Sequence, residues 1–180
     1  MKLTKKRAII CLDFDDCILE HPNYSFIGMD KERAIKGFKE NLDILRIVAD
    51  KIDADFFITS SWYSSFQITP NNKLEWCEAY LKDGSEPDYF PEVKDIFNSY
   101  LDTKGLSCGN RLRDIRDLSK EYEIVVALDD MEDLFDKVKD IQNVCMLEVY
   151  GKINYQHLWK LEKFLIDRKY DYKKGEFRNE

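Results

Sequence analysis

Three aspartates fall within four positions at Asp13-Phe14-Asp15-Asp16, directly after an apolar run at residues 8–12. A second acidic pair, Asp129-Asp130, ends another apolar run at residues 124–128. Between them, the run Asp55-Phe56-Phe57-Ile58 hands over to the hydroxyl run Thr59-Ser60-Ser61. Carboxylates that converge from separate strands repel: at about 4 Å, two unit charges cost roughly 4 kcal/mol at an effective dielectric of about 20. Such a cluster raises its own pKa values unless a cation sits in it. With 2 histidines in the chain and no CxxC pair, the donors are hard oxygens, which select magnesium over zinc. Magnesium among carboxylates points to phosphate chemistry. The hydroxyls after the middle run serve either as caps for the next helix or as ligands for a phosphate oxygen, and neighbouring residues can do both.

These groups need a scaffold that brings strand ends together. Residues 8–12 are apolar without alternation, as in a strand buried on both faces of a parallel sheet. Ligands bind just beyond the carboxyl ends of such strands. Ile35, Phe38, Leu42, Leu45, Val48 and Ile52 recur at helical spacing over residues 31–52, with Asp30 placed to cap them. Residues 55–58 read as a second buried strand. Gly109-Asn110 then opens a helix with Leu112, Ile115 and Leu118 facing inward. Arg111 falls in its first turn, where the macrodipole disfavours a cation; service to an anion is one explanation, ordinary solvation the other. A third strand at 123–128, a helix at 131–141, a strand at 144–149 and a helix at 154–166 complete a βαβαβαβα order. That order predicts a central parallel sheet with helices on both faces, a Rossmann-like three-layer α/β/α sandwich.

Residues 62–109 predict only a small helical insertion. Residues 71–82 look helical, with Leu74, Cys77 and Leu81 on one stripe, and Val93, Ile96, Phe97 and Tyr100 suggest another helix, with a short strand at 96–101 as the alternative. Residues 20–29 combine turn formers and aromatics and suit a flap over the first strand's end; His21 is then a surface residue or a substrate contact. A single domain is expected over residues 1–167, followed by a charged, flexible tail at 168–180.

The chain of 180 residues is 44% hydrophobic and 35% charged, an ordinary globular balance. A net charge of −7 argues against salt-driven binding to long nucleic acid, but a metal and local cations still allow a small phosphorylated substrate. Cys11, Cys17, Cys77, Cys108 and Cys145 are scattered, and buried free thiols in a reducing compartment are expected. No apolar run approaches a membrane span, and the one before Asp13 is too short for a secretory leader. A cytoplasmic protein with no membrane association and no stable protein partner is expected.

The ordered combination of Asp13-Phe14-Asp15, a strand ending in Thr59-Ser60, a basic residue and then Asp129-Asp130 resembles the haloacid dehalogenase (HAD) superfamily of phosphohydrolases, in its minimal-cap form. The resemblance runs over residues 8–165. It implies a magnesium-dependent phosphatase in which Asp13 attacks phosphorus and becomes an aspartyl-phosphate. Asp15 then protonates the leaving oxygen and later activates water. Magnesium would be held by Asp13, the backbone carbonyl of Asp15 and the Asp129-Asp130 pair, with Asp133 nearby. Thr59 or Ser60 would bond a phosphoryl oxygen, and Arg111 would steady the transferring group. Many relatives carry Gly where this chain has Asp16, and Thr or Val where it has Cys17. The basic residue is often Lys, for which Lys104 and Lys120 are weaker candidates. The presence of Asp15 favours phosphatases over the dehalogenase and ATPase members. The absence of a full cap implies an open site, suited to a nucleotide, a related small phosphate or a nucleic-acid end. The helix at Arg111 also resembles HAD domains of RNA-repair proteins. A phosphoprotein phosphatase and a catalytically idle binding module are the alternatives.

Overall fold

The computed structural model describes residues 6–20, 31–61, 65–77 and 92–168, together with the backbone of 170–171 and 176–177. Five parallel strands form the central sheet: β1 (Lys6–Leu12), β2 (Ala54–Ile58), β5 (Gly105–Leu106), β6 (Tyr122–Asp129) and β7 (Val144–Glu148). Their spatial order is β5-β2-β1-β6-β7. The chain thus winds outward from β1 in one direction and returns to wind in the other from β6. The switch point between β1 and β6 is where doubly wound sheets open a crevice for ligands.

Alternate residues of the central strands separate into two cores, as the period of two requires. Ile10 and Leu12 of β1 and Val126 and Leu128 of β6 pack with helix α1 (Lys31–Ile52), helix α2 (Val93–Tyr100) and helix α5 (Tyr155–Asp167). Ile9 and Cys11, with Val125 and Ala127, face helix α3 (Arg111–Glu121) and helix α4 (Glu132–Val138). Helices cover both faces, so the α/β layering follows from continuous apolar strands that must be buried twice.

Phe14 explains how two aspartates two apart come to serve one site. Its side chain is fully buried and meets the rings of Phe38 at 6.0 Å, Phe66 at 6.2 Å and Phe97 at 5.5 Å. Burying that ring in the core turns the flanking carboxylates the other way. The tight turn that follows needs a left-handed residue, and Asp16 supplies it at φ 53°. Asp tolerates this region better than a β-branched residue would, which accounts for a position that resembles a glycine site.

Asn41, wholly buried on α1, ties three segments together. Its amide donates to the carbonyls of Ile18 (2.7 Å) and Gly151 (2.9 Å) and accepts from the Ile153 N–H (2.9 Å). The loop after β1 is thereby locked to the loop after β7.

Several expectations are corrected. Residues 71–77 are not helical: β3 (Phe66–Ile68) and β4 (Leu74–Trp76) form an antiparallel hairpin, with Phe66 paired to Trp76. Asn72 turns the chain at φ 61°, and the Asn98 amide of α2 bonds both the N–H and the carbonyl of Leu74 at 2.8 Å, standing in for a strand partner. Stacking of Phe66 on Trp76 at 4.7 Å adds to the pairing. This tertiary support outweighs the helical spacing. The described part of the insertion is therefore a hairpin followed by a helix. Strand β5 was not expected, having only two residues and no apolar run to announce it. Helix α4 stops at Val138, three residues before the expected end. Within the tail expected to be flexible, β8 (Tyr170–Asp171) pairs antiparallel with β9 (Glu176–Phe177). The flap at residues 20–29, with His21, and the cap at Asp30 lie outside the described residues beyond Glu20.

Two stability predictions follow. Asn41→Leu should cost about 2–4 kcal/mol, because it strands two carbonyls and an N–H in the interior; urea unfolding measures it. At the start of α5, Nδ1 of His157 accepts from the Asn154 N–H at 3.0 Å in a capping box, and burial holds the imidazole below its ordinary value. The stability this turn adds is present above about pH 6.5 and lost as the pH falls. His157→Gln, which keeps an acceptor at that position, should flatten the change in urea midpoint between about pH 7.5 and about pH 5.

Candidate active site

Backbone register assembles the site. Leu12 of β1 pairs with Ile58 on one side and Leu128 on the other. The ladder continues one step further, with the Asp13 N–H donating to the Leu128 carbonyl (3.1 Å) and the Thr59 N–H to the Leu12 carbonyl (2.8 Å). Asp13 therefore stands level with Asp129 and Thr59: Asp13 and Thr59 lie just past the carboxyl ends of β1 and β2, and Asp129 is the last residue of β6. Asp13, Asp129, Thr59 and Ser60 are all buried.

Asp13, Asp129 and the half-buried Asp130 place ligand oxygens all within 4.8 Å of one another. Burial pushes the Asp13 carboxyl up to about 7; the Arg111 guanidinium opposes this, the Asp129 charge adds to it, and hydrogen bonds from Ser60 and the Phe14 N–H lower it. Burial likewise raises Asp129, against the pull of Arg111 and a hydrogen bond from the Met131 N–H. One cation holds the two together. Arg111 Nη1 lies 2.7 Å from Asp13 Oδ2 and 2.9 Å from both carboxylate oxygens of Asp129.

Arg111 reaches the cluster because its helix starts there. Asn110 caps α3, its side chain accepting from the Arg113 N–H at 3.0 Å. The buried Asp114 carboxylate accepts from the Ser107 hydroxyl and the Cys108 thiol, and Ser107 Oγ accepts from the Gly109 N–H at 3.0 Å. The β5–α3 loop is thus anchored on α3 itself, with Gly109 at φ 95°. The cation in the first turn, which the macrodipole alone disfavours, is accounted for by two buried carboxylates.

The structure brings together Asp13, Asp129, Asp130, Ser60 and Arg111, with Thr59 adjacent in register. The Asp15 carboxylate is not part of the three-acid group; its Oδ2 accepts from the Ser61 hydroxyl at 3.3 Å. Asp133 is exposed and pairs with Lys137 at 3.7 Å. Lys120 is exposed on the last turn of α3 and pairs with Asp117 at 2.7 Å, and Lys104 is exposed at the start of β5. Neither lysine takes the place of Arg111. The sequence placed Ser61 in the hydroxyl run without a role toward Asp15, and it carried no sign of the support from Asn41 and Asp114, each one polar residue among several in its helix.

The donor set suits a hard divalent cation: carboxylate oxygens only, two of them buried, converging on one point with a single guanidinium to offset them. No family model matches the chain, and neither a curated protein nor a solved structure gives a match. Among the described residues, no helix is long and apolar enough to cross a membrane.

Removing the guanidinium, as in Arg111→Met, leaves buried carboxylates facing one another and should cost roughly 3 kcal/mol in chelator. Magnesium should then raise the melting temperature of this variant more than that of the wild type. Asp130→Asn should erase the magnesium-induced rise in both backgrounds. Thermal melts with magnesium and with chelator measure both effects.

Proposed function

We infer that this chain is a magnesium-dependent phosphomonoesterase with an HAD-like fold, acting through an aspartyl-phosphate. The observation that carries the reading is the convergence of Asp13, Asp129 and Asp130 within 4.8 Å at the switch point of a parallel sheet. An acidic pocket of this kind is costly without a cation, and carboxylates that gather a hard divalent ion beside a nucleophile are the equipment of phosphoryl transfer.

Asp13, Asp129 and Asp130, with the Asp15 carbonyl, would hold magnesium, whose charge when bound offsets that of the phosphoryl oxygens. The residues of the chain supply the rest. A carboxylate oxygen of Asp13 attacks phosphorus, and the bond from phosphorus to the leaving oxygen breaks as Asp15 delivers its proton to that oxygen. Arg111 opposes the burial that raises Asp13 and so favours its ionised, nucleophilic form, and it offers guanidinium donors to the transferring group. Ser60, bonded to Asp13, orients the nucleophile, and Thr59 stands beside it for a phosphoryl oxygen. The Asp15 carboxylate then takes a proton from water, the water oxygen attacks phosphorus, and the bond to Asp13 breaks. Inorganic phosphate leaves, with Asp13 restored and Asp15 protonated again. Ser61, bonded to Asp15 Oδ2, is placed to aim that carboxyl.

Phosphate release from an aryl phosphate and a panel of phosphometabolites tests the reading. Activity should require magnesium and vanish in Asp13→Asn, whose fold is retained. Asp15→Asn should lower turnover by about 100- to 10,000-fold, the usual worth of a general acid–base group. Full activity in Asp13→Asn, or activity indifferent to chelator, contradicts the assignment.

A further inference from the structure

A cavity of about 670 Å³ opens beside the three-acid cluster, sharing Asp130 with it. Its walls come from α1 and from the loops after β1, β6 and β7. They carry three cations, Arg33, Lys36 and Lys152, among four carboxylates, Asp16, Glu20, Glu40 and Asp130, the last of them shared with the three-acid cluster. Arg33 faces Glu20 at 3.6 Å and Lys152 faces Glu40 at 3.2 Å, exposed pairs of the weak, exchangeable kind. For Lys36 the structure gives no ion-pair partner among the described residues. Tyr150, largely exposed on the same wall, is held by its hydroxyl donating to Glu148 at 2.7 Å.

The second observation is Gly37. It lies within the 22-residue helix α1, where glycine weakens a helix relative to alanine. A Cβ there would meet nothing within 4 Å among the described residues, so none of their packing demands its absence. What the missing side chain leaves is room in the cavity, directly beside Lys36. Close approach of a ligand to the backbone is one use of a glycine at such a place.

We propose that this cavity receives the leaving group of the substrate and that the leaving group carries a second phosphate, as in a nucleoside bisphosphate. The inference rests on the phosphatase reading for the position of the first phosphate. The second phosphate lies over Gly37 against Lys36, with Arg33 and Lys152 released from their surface pairs to join it. The ring of the nucleoside lies against Tyr150. The volume suits a ligand of that size.

Calorimetric binding to the full chain in magnesium tests this, using phosphonate analogues of adenosine 3′,5′-bisphosphate and adenosine 5′-monophosphate, whose P–C bonds prevent turnover. The wild type should bind the bisphosphonate roughly tenfold more tightly than the monophosphonate, the worth of one added hydrogen-bonded charge. Lys36→Gln should bring that ratio close to one. Gly37→Leu should weaken both ligands while its melting temperature holds or rises, since leucine is the better helix former. A wild-type ratio near one, a ratio unmoved by Lys36→Gln, or undiminished binding by Gly37→Leu overturns the proposal. Aryl phosphate hydrolysis by the wild type, measured alongside, separates the two readings. Hydrolysis with a flat binding ratio removes the second-phosphate site alone, and the predicted ratio without hydrolysis removes the phosphatase reading alone.

Discussion

Asp13 and Asp129 leave two adjacent parallel strands at the same level, so their carboxylates are forced together in the interior. The register of β1 against β6 makes that inescapable, and Arg111 makes it tolerable by lying within 2.9 Å of both. Much of the surrounding construction serves this arrangement. Asn110 and Asp114 fix the start of α3 and so the origin of the guanidinium, while Phe14 turns its neighbours' carboxylates out of the core. Asn41 holds the loop behind Asp16 to the loop after β7. A residual misfit remains in the raised titration of Asp13 and Asp129, since one guanidinium does not balance three acids. A site left short of positive charge in this way is prepared for a cation.

The parts of the molecule legible in sequence are those governed by long, regular patterns. Helix α1 is announced over its whole length by apolar spacing, and the runs at β1, β6 and β7 by uninterrupted apolar residues. The candidate site was legible because each strand changes to oxygen donors at the point where it leaves the sheet. Hairpin β3–β4 was not legible, because its strands have three residues each and Asn98, 24 residues from Leu74, supplies the missing bonds. Strand β5 is shorter still and exists because β2 is there to pair with it. The union of Arg111 with both acids depends on register and on the β5–α3 loop, neither of which has a local signature.

The proposed chemistry makes distinct demands on the two aspartates of the first loop, and their surroundings differ accordingly. Asp13 is buried and tied to Arg111 and Ser60, as the proposed attack on phosphorus requires. Asp15 is half-buried and meets a more exposed hydroxyl, in a position from which a proton can pass to a leaving group or from water. On the proposed reading, the cavity beside Asp130 would receive the remainder of the substrate. Its mixed charge and its unexplained glycine fit a polar, doubly charged leaving group better than an extended peptide, which favours a nucleotide-like substrate over a phosphoprotein.

The central claim is that Asp13 forms a covalent bond to phosphorus. Quenching the enzyme during turnover and treating it with borohydride reduces an aspartyl-phosphate to homoserine, which peptide mass spectrometry locates. The account predicts homoserine at position 13, dependent on substrate and magnesium. Phosphate release without homoserine at that position, or with it at another aspartate, would contradict it.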